Sequence, residues 1–381
     1  MKTFKNLVIG GIENKVVNLI LITIIVISAA FTGMSLYQNK MLEDVNAETI
    51  GKQQQALTDI TNGIMNDIVD QSMDQTTELK AQMADEVFHN LAVRVEMMGE
   101  YAGKLFQDPS SVGREEYAAP DKAQDGQIVC QTILADGVNE EEIADRIGLA
   151  ANMTDMMSTL FGASADTNSC FIALPEGAFL VVDDRSAAKF SESGERVIYD
   201  CRTRPWYKQA VEKESLIFTD VEVDAFTGDI GIVCAMPVYA NGELVAVVGS
   251  DLFLNSMNEA IQSSESNGGF ECVINSAGHV ILSPKESGIF RAVESANATD
   301  LRTNSNSELA TMVVDAMKGN TGVRLVHMDG GTYYMAGSPI GTLGWTLLYV
   351  FDQAMADKPA EMLTSSYQTI QGEAGSTYLS R

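Results

Sequence analysis

The feature that most restricts the possible folds of this chain is a strand–turn–strand pattern that occurs twice. Residues 170–182 hold two short apolar runs separated by a turn sequence with Pro175 and Gly177. Residues 270–282 repeat this arrangement around Gly278. Short apolar runs bounded by glycine and proline are typical of strands in hairpins. Since similar patterns in tandem indicate an internal repeat, we predict two unequal copies of one sheet module.

Both copies are completed by further predicted strands. In the first copy, Asn241 and Gly242 join a strand over 229–239 to a strand over 244–249, and Asn-Gly is the strongest short signal for a hairpin. In the second copy, the remaining strands are predicted over residues 322–328, 332–338 and 344–350, with a helix over 307–317. Antiparallel sheets with helices on one side place the chain in the α+β class.

The N-terminal region is predicted to cross a membrane. Three lysines in residues 1–15 precede an uncharged, largely apolar run over 16–37, which is long enough to span the hydrocarbon layer as a helix. Cations before the run place residues 1–15 in the cytoplasm and the following residues outside. The small residues at 28–30 also fit a signal-peptide cleavage site. Because the apolar run continues to Leu36, a retained anchor in the cell membrane is favoured.

Residues 38–108 are predicted to form a long helix between the span and the first module. The segment has no proline, and its apolar residues recur at spacings of three and four, as in one amphipathic helix or two in succession. Asp108 and Pro109 are expected to end it. The apolar stripe fits packing against the sheet modules and fits equally well pairing with a second copy of the chain. A predicted helix over 139–157 follows.

Charge and residue spacing exclude several classes of function. The net charge of −27 argues against nucleic-acid binding, which needs clustered cations. None of the five cysteines forms a CxxC pair, and His89, His279 and His327 lack metal-site spacing. We interpret the cysteines as small buried residues and the histidines as structural or exposed. No metal ion and no other cofactor is predicted.

The residues with the most informative chemistry lie between 199 and 251. They are Tyr199, Arg204, Trp206, Tyr207, Asp224 and Asp251. A guanidinium binds a carboxylate through two parallel hydrogen bonds, buried Tyr and Trp supply an apolar wall with a polar tip, and an aspartate receives an ammonium. Together they provide what is needed to hold a zwitterion at both ends. The alternative is structural: Pro205 starts a helix and the aromatic residues pack in a core.

A membrane span, a long helix, two tandem sheet modules and this cluster together resemble a double Cache (PDC-type) extracytoplasmic sensor domain over about residues 40–360. The resemblance implies a long N-terminal helix carrying two tandem PAS-like antiparallel-sheet modules, preceded by one transmembrane helix. The membrane-distal module would cover 109–258 and the membrane-proximal module 259–352. Residues 353–381 would form a helix or linker towards a second span.

The resemblance also assigns roles to the residues. It implies that the ligand carboxylate is held by Tyr199, Arg204 and Trp206. It implies that the ligand ammonium is held by Tyr207 and Asp251, with Asp224 nearby. No equivalent cluster is found in the membrane-proximal module.

Glu222 departs from the family pattern, which usually has tyrosine at this position. An extra carboxylate near the ammonium end would favour a ligand with a second cation or would exclude ordinary amino acids. We include Glu222 among the candidate ligand-binding residues.

Three hypotheses of function follow. The first is the extracytoplasmic sensor of a transmembrane signalling receptor that binds an amino acid or related small amine and works as a homodimer. The second is an anchored or secreted hydrolase with Asp224 and Asp251 as an acid–base pair. The sequence has no P-loop and no nucleophile elbow, so we predict that it is not an enzyme. The third is a membrane-anchored scaffold with a vestigial pocket. No output domain is recognised, and we expect a truncated product or a fragment of a longer receptor.

Overall fold

The computed structural model describes residues 47–163, 167–265, 268–293, 298–320 and 322–356, with isolated residues at 20, 23–24, 27–28, 358 and 365. The predicted membrane span over 16–37 and most of the predicted C-terminal helix over 353–381 lie outside these ranges. Within the described part of the chain, no helix is both long enough and apolar enough to cross a membrane.

The chain divides into two compact units, Ala84–Ala260 and the combination of Met1–Met83 with Ile261–Arg381. Helix α1, Ala47–Gln107, contributes residues to both units. Each unit contains one antiparallel sheet. The predicted α+β fold, with a long N-terminal helix and two antiparallel sheets, is confirmed.

The first unit is built on a seven-stranded sheet with the order β1-β3-β2-β7-β6-β4, in which β5 also pairs with β6. The strands are β1 Val129–Leu134, β2 Thr167–Ala173, β3 Ala178–Asp183, β4 Ile217–Phe218, β5 Glu222–Val223, β6 Ile230–Ala240 and β7 Glu243–Phe253. The helices that follow α1 in this unit are α2 Glu140–Ala150, α3 Thr154–Gly162, α4 Pro205–Lys213 and α5, which begins at Asn255 and ends at Gln262 in the second unit.

The central hairpins form where the sequence predicts them. Every residue of β2 and β3 is buried, including the polar Asn168 and Ser169 at the start of β2 and Asp183 at the end of β3. Asn241 and Gly242 adopt positive φ angles of 53° and 85° between β6 and β7, as a tight hairpin turn requires. Gly99 allows α1 to come close to Met236 of β6, because a Cβ at residue 99 would lie 2.9 Å from the methionine sulfur.

Two local predictions in this unit need correction. The helix predicted over 139–157 is divided into α2 and α3 by a short 3-10 turn at Ala151–Met153. Strand β1 was not predicted, because its sequence Val-Cys-Gln-Thr-Ile-Leu lacks a clear alternation of apolar and polar residues. It forms through antiparallel pairing with β3, which local sequence does not reveal.

The second unit has a five-stranded sheet with the order β10-β11-β12-β8-β9. The strands are β8 Gly269–Ile274, β9 Val280–Leu282, β10 Arg324–Met328, β11 Gly331–Ile340 and β12 Trp345–Asp352. Helix α6, Ser307–Met317, is capped by the Asn306 side chain. Its apolar face, including Leu309 and Met312, packs in the core with Phe270 and Leu348.

A shared local structure marks the internal repeat. In the first unit, Arg202 makes two 2.8 Å hydrogen bonds to the carboxylate of Asp200. In the second unit, Arg302 makes the same two bonds to Asp300. In both units the arginine also donates to the backbone carbonyl 26 residues earlier. We call this arrangement the Asp-Arg clasp; it places the chain that follows it relative to the sheet.

Candidate ligand-binding site

One cavity of the first unit collects most of the predicted site residues. Tyr199, Arg204, Trp206, Glu222, Asp224 and Asp251 all line it. The cavity is narrow, with a volume of about 40 Å³, which is room for about three waters. The described conformation therefore fits a small ligand or one that widens the cavity on binding.

The secondary structure explains why residues distant in sequence meet here. Arg204 is the residue before α4, and Pro205 occupies the first position of that helix, where its fixed φ suits a helix start. Asp251 lies in β7 opposite Ser169 of β2 and Val233 of β6. Strand pairing and the helix start therefore fix the backbones that carry the guanidinium and the carboxylate.

Asp251 is held by two neighbouring polar side chains. Its two oxygens accept hydrogen bonds from Asn168 Nδ2 at 2.7 Å and Ser169 Oγ at 2.5 Å. Burial raises its pKa to about 7, the hydrogen bonds oppose this change, and the negative charge of Asp224 adds to it. Near neutral pH, Asp251 therefore exchanges between its protonated and ionised forms.

Asp224 also organises the loop after β5. Its Oδ1 accepts hydrogen bonds from the backbone N–H of Phe226 at 3.2 Å and from both the N–H and the hydroxyl of Thr227 at 2.8 Å. These bonds form a turn that positions Phe226, whose ring centroid lies 4.9 Å from that of Tyr199. Asp224 thus shapes one wall of the cavity as well as contributing charge.

The rest of the wall is aromatic. The Tyr199 ring lies 4.9 Å from that of Phe179, and the Trp206 ring lies 4.6 Å from that of Phe171. Burial raises the pKa of Tyr199, so its hydroxyl keeps its proton. The same aromatic residues belong to the hydrophobic core, so the structural interpretation of this cluster applies alongside the ligand-binding one.

Arg204 brings a cation to this wall. Its guanidinium carbon lies 5.7 Å from the centroid of the Tyr199 ring. The Nε of Arg204 is buried and has no hydrogen-bond partner among the described residues. Buried polar groups are nearly always hydrogen-bonded in proteins, so this N–H is available for a ligand oxygen.

Tyr207 is the one predicted site residue that the structure keeps away from the cavity lining. It follows Trp206 on α4, and neighbouring helix residues point about 100° apart. The two rings meet edge to face at 5.8 Å. Burial raises the pKa of Tyr207 to about 12; Cys201 adds to this rise and the charge of Arg202 opposes it. Tyr207 therefore packs behind Trp206.

Glu222 lines the cavity from β5, where it pairs with Gly231 of β6. Its Oε1 is buried and has no hydrogen-bond partner within the described structure. Burial raises its pKa, a hydrogen bond with Thr219 and the charge of Arg204 oppose this change, and the charge of Asp224 adds to it. Its carboxylate therefore interacts with both the cation and a second acid of the cavity.

Several further polar residues of the lining were missed in the sequence. Lys189 and Asp183 form an ion pair of 2.6 Å in which the two side chains are only 4% and 3% exposed. The ammonium of Lys189 also lies 4.1 Å from the centroid of the Phe226 ring. Arg185 donates a hydrogen bond to Asn168, which in turn holds Asp251. The sequence feature that could have indicated these residues is the group of charged residues at the end of strand β3 and directly after it.

Sequence comparison assigns the chain to a family. A family model described as a Cache domain matches residues 12–360. The chain belongs to the Cache domain family. The match covers both sheets of this Cache chain and the cavity, and it confirms the resemblance drawn from the sequence.

Known relatives of this Cache chain are chemotaxis proteins. It is 25% identical over 171 residues to the methyl-accepting chemotaxis protein PscA of Pseudomonas syringae pv. tomato, covering 45% of this chain and 24% of that one. It is 28% identical over 211 residues to McpG of Pseudomonas putida, covering 54% and 30%. The chain thus spans less than a third of the length of these relatives.

A solved structure shows the same fold. The periplasmic sensory domain of the Campylobacter jejuni chemoreceptor Tlp1 matches with a TM-score of 0.54 and 13% identity. The match covers 77% of this chain and 99% of that one. At this level of identity, the likeness concerns the fold only.

The second unit of the Cache chain lacks the two main charges at the corresponding positions. Thr203 of the first clasp is followed by Arg204, whereas Thr303 of the second is followed by Asn304. Ser169 and Phe270 are corresponding positions of the two units, because each lies eight residues before the glycine of its hairpin turn, Gly177 or Gly278. Ser169 pairs with Asp251, but Phe270 pairs with Val350.

The side chains that could bind a metal ion are dispersed. Over the described ranges, no group of three or more His, Cys, Asp or Glu side chains is placed to hold one. All five cysteines are free thiols, and all but Cys130 are buried. Burial raises the pKa of Cys170 to about 11, so this thiol stays protonated at neutral pH.

Proposed function

We propose that this Cache chain is the ligand-sensing part of a membrane-anchored signalling receptor. In this proposal, the cavity of the first unit binds an amino acid or a related small amine. The observation that carries the proposal is that one small cavity contains an arginine with a buried, unpartnered N–H and an aspartate held by two hydrogen bonds. These are the groups that recognise a carboxylate and an ammonium.

The carboxylate end of the ligand is assigned to Arg204, with Tyr199 and Trp206. The Arg204 guanidinium is fixed at the start of α4 beside the Tyr199 ring. A fork of N–H donors matches both oxygens of a carboxylate, and in a cavity of low polarity such bonds are stronger than in water. The aromatic rings exclude water from this end.

The ammonium end is assigned to Asp251, with Asp224 close by. Asn168 and Ser169 hold the carboxylate in place, so little side-chain entropy remains to be lost when a ligand binds. Tyr207, which packs behind Trp206, is proposed to support that ring; its predicted contact with the ammonium would require movement on binding.

The site chemistry favours binding over hydrolysis. Oδ1 of Asp224 already accepts three hydrogen bonds from its own loop, and the oxygens of Asp251 are held by Asn168 and Ser169. A general acid or base must exchange protons with a substrate from a suitable position, and here these oxygens are already engaged by hydrogen bonds within the protein. We therefore propose a non-catalytic sensor; a scaffold with an unused pocket is the second candidate.

A stabilisation screen of the 381-residue chain tests the proposal. A ligand at about 100 times its Kd is expected to stabilise the folded state by about 2.7 kcal/mol, which raises the unfolding temperature. The screen covers amino acids, small amines and organic acids. Stabilisation by an amino acid or amine supports the proposal, and no stabilisation by any of them supports the scaffold.

The affinity for a ligand with an ammonium group is expected to fall as the pH decreases below about 7. The pKa of Asp251 is raised to about 7, and only the ionised carboxylate pairs with an ammonium. Aliphatic ammonium groups stay charged at this pH, so the aspartate sets the slope, which approaches about tenfold per pH unit at acid pH. Calorimetric Kd values between pH 5 and pH 8 measure it.

The Asp251→Asn variant serves as the control for this pH dependence. It removes the titrating group but keeps the shape, so we expect weaker binding and a nearly flat profile between pH 5 and pH 8. Asp224 and Glu222 also carry charge at the cavity, and Arg185 reaches Asp251 through Asn168. If Asp251→Asn keeps the full slope, another of these groups is responsible and the assignment of the ammonium end is wrong.

We further propose that the protein is anchored by residues 16–37 and works as a homodimer. Within the first unit, helix α1 carries an exposed apolar stripe comprising Val87, Val93, Met97 and Tyr101. The residues of the stripe are between 38% and 51% exposed. They recur at helical spacing away from the buried positions Phe88, Leu91 and Val95. A second copy of the same helix offers a matching apolar surface.

Replacing Met97 with glutamate is expected to weaken this dimer. A carboxylate at the centre of an apolar contact must be desolvated without a partner, so the dimer dissociation constant should rise at least about tenfold. Sedimentation equilibrium measures it. Ile198→Glu, the same kind of change at a 77% exposed position outside α1, should leave the constant unchanged. A monomeric parent chain would contradict the dimer.

A further inference from the structure

The cavity contains one carboxylate oxygen that its own neighbours do not satisfy. Glu222 lines the cavity from β5, and its Oε1 is buried without a hydrogen-bond partner among the described residues. The Nε of Arg204 is also buried without a partner, so the two side chains do not satisfy each other at these atoms. A buried carboxylate oxygen in a ligand cavity accepts a hydrogen bond from whatever the cavity binds.

The charges of the lining leave a surplus of carboxylates. Lys189 and Asp183 form a closed ion pair at 2.6 Å. Arg185 also lines the cavity, and it lies 3.6 Å from Asp184, which is outside the lining. The lining therefore has three cations and four carboxylates: Arg185, Lys189 and Arg204, and Asp183, Glu222, Asp224 and Asp251.

The lining therefore has one more carboxylate than it has cations. A zwitterion such as alanine brings one carboxylate and one ammonium, so it leaves the net charge of the cavity unchanged. It also supplies no additional hydrogen-bond donor to Glu222. A ligand with two cationic nitrogens supplies one to Asp251 and one to Glu222. Burial and the charge of Asp224 raise the pKa of both carboxyls, which is the behaviour expected of acids that lack a cationic partner.

We propose that the ligand carries a second cationic nitrogen, as a dibasic amino acid or a short diamine does, and that Glu222 binds this nitrogen and selects for it. The inference rests on the proposed ligand-sensing function and specifies the class of ligand. A dibasic amino acid also uses Arg204 through its carboxylate, whereas a diamine does not.

Matched pairs of ligands isolate the contribution of the second cation. Lysine and norleucine have the same carbon chain, and lysine carries an additional ammonium on its terminal carbon. Ornithine and norvaline form a shorter pair, and 1,4-diaminobutane and butylamine form a pair without a carboxylate. Calorimetry on the 381-residue chain at pH 7.5 gives the six Kd values. Within at least one pair, the dicationic ligand is expected to bind at least about tenfold more tightly.

The Glu222→Gln variant tests the residue. It keeps the size of the side chain and removes its charge, so the dicationic ligand should lose at least about tenfold in affinity. Its partner with one cation should change by less than about threefold. Glu212→Gln makes the same change at an exposed position on α4 outside the cavity, and it should leave all six values unchanged.

The outcomes separate the two proposals. Preference for lysine or ornithine identifies a carboxylate-bearing ligand, and preference for the diamine identifies a simple amine; both support the inference. If norleucine binds as tightly as lysine and Glu222→Gln changes no ratio, the inference is wrong and the sensor proposal stands. If none of these compounds and no other amino acid or amine binds, the sensor proposal fails with it.

Discussion

Replacing Arg204 with alanine is expected to reduce the affinity for a carboxylate-bearing ligand by about 30-fold to several thousand-fold. Truncating one member of a desolvated, hydrogen-bonded charge pair costs about 2–5 kcal/mol, much of it because the other charge is left unpaired. Arg204 has a buried Nε with no partner among the described residues, so its loss removes a ligand contact and breaks no hydrogen bond that the described structure makes at that atom. Calorimetry with the amino acid that stabilises the chain most in the screen measures the loss.

Two further variants make this result specific. Arg204→Lys keeps the charge but removes the fork of donors, so it should restore only part of the affinity. Lys208→Ala removes an exposed cation on the same helix and should have no effect. If Arg204→Ala binds the ligand as tightly as the parent chain does, the carboxylate end of the site has been assigned wrongly.

Replacing Lys189 with methionine is expected to give the largest loss of stability, about 3–5 kcal/mol. Its partner Asp183 would then be a buried carboxylate without a cation, and breaking one side of a buried ion pair has costs of this size. Both side chains are almost fully buried, at 4% and 3% exposure, so solvent screens the pair little. Gln131 also donates to Asp183 at 3.2 Å, but a neutral amide does not replace the ammonium.

Urea unfolding, monitored by tryptophan fluorescence, measures this loss of stability in the first unit, which contains the ion pair. The chain has two tryptophans, so a Trp345→Phe background leaves Trp206 as the reporter of the first unit. Lys189→Met combined with Asp183→Leu should recover much of the stability, because it removes the unpaired charge. Asp145→Asn, which breaks an exposed pair with Arg114 in the same unit, should shift the midpoint far less. An equal shift for Asp145→Asn and Lys189→Met would contradict the buried-pair argument.

Local sequence patterns were sufficient to predict the helix start and the hairpins that carry the candidate site residues. Arg-Pro-Trp has the signature of a helix start with a cation in front of it, and the structure places Arg204 there. The Asn241-Gly242 turn predicts a hairpin of the two apolar strands beside it, and this hairpin places Asp251 opposite Val233 of β6. Such features depend on a few adjacent residues and can be predicted from a single sequence.

The features that were missed depend on contacts between distant segments. Strand β1 forms because it pairs with β3 in an antiparallel arrangement. Which of Trp206 and Tyr207 faces the cavity is set by how α4 packs on the sheet, and both residues were equally plausible in the sequence. The pairing of Lys189 with Asp183 requires a short 3-10 turn at Ser186–Lys189. The sequence has no clear turn signal that would predict this turn.

The Asp-Arg clasp, in contrast, does have a local sequence signal. The residues Asp200–Thr203 and Asp300–Thr303 share the pattern Asp-x-Arg-Thr at a spacing of 100 residues. Their side chains form the same hydrogen bonds in the two units. Aligning the two copies on this pattern makes Asn304 the counterpart of Arg204 from the sequence alone.

The same clasp has a consequence for how such modules diversify. Because the hydrogen bonds of its arginine are made within the clasp and to a nearby backbone carbonyl, the clasp holds the backbone whatever residue comes next. The position after it is then under little structural constraint: one duplicated unit has arginine there and the other asparagine. After duplication of such a unit, the backbone structure can therefore be kept while single substitutions change which ligand is recognised. Asn304→Arg and Val350→Asp would introduce the same two charged residues at the corresponding positions of the second unit.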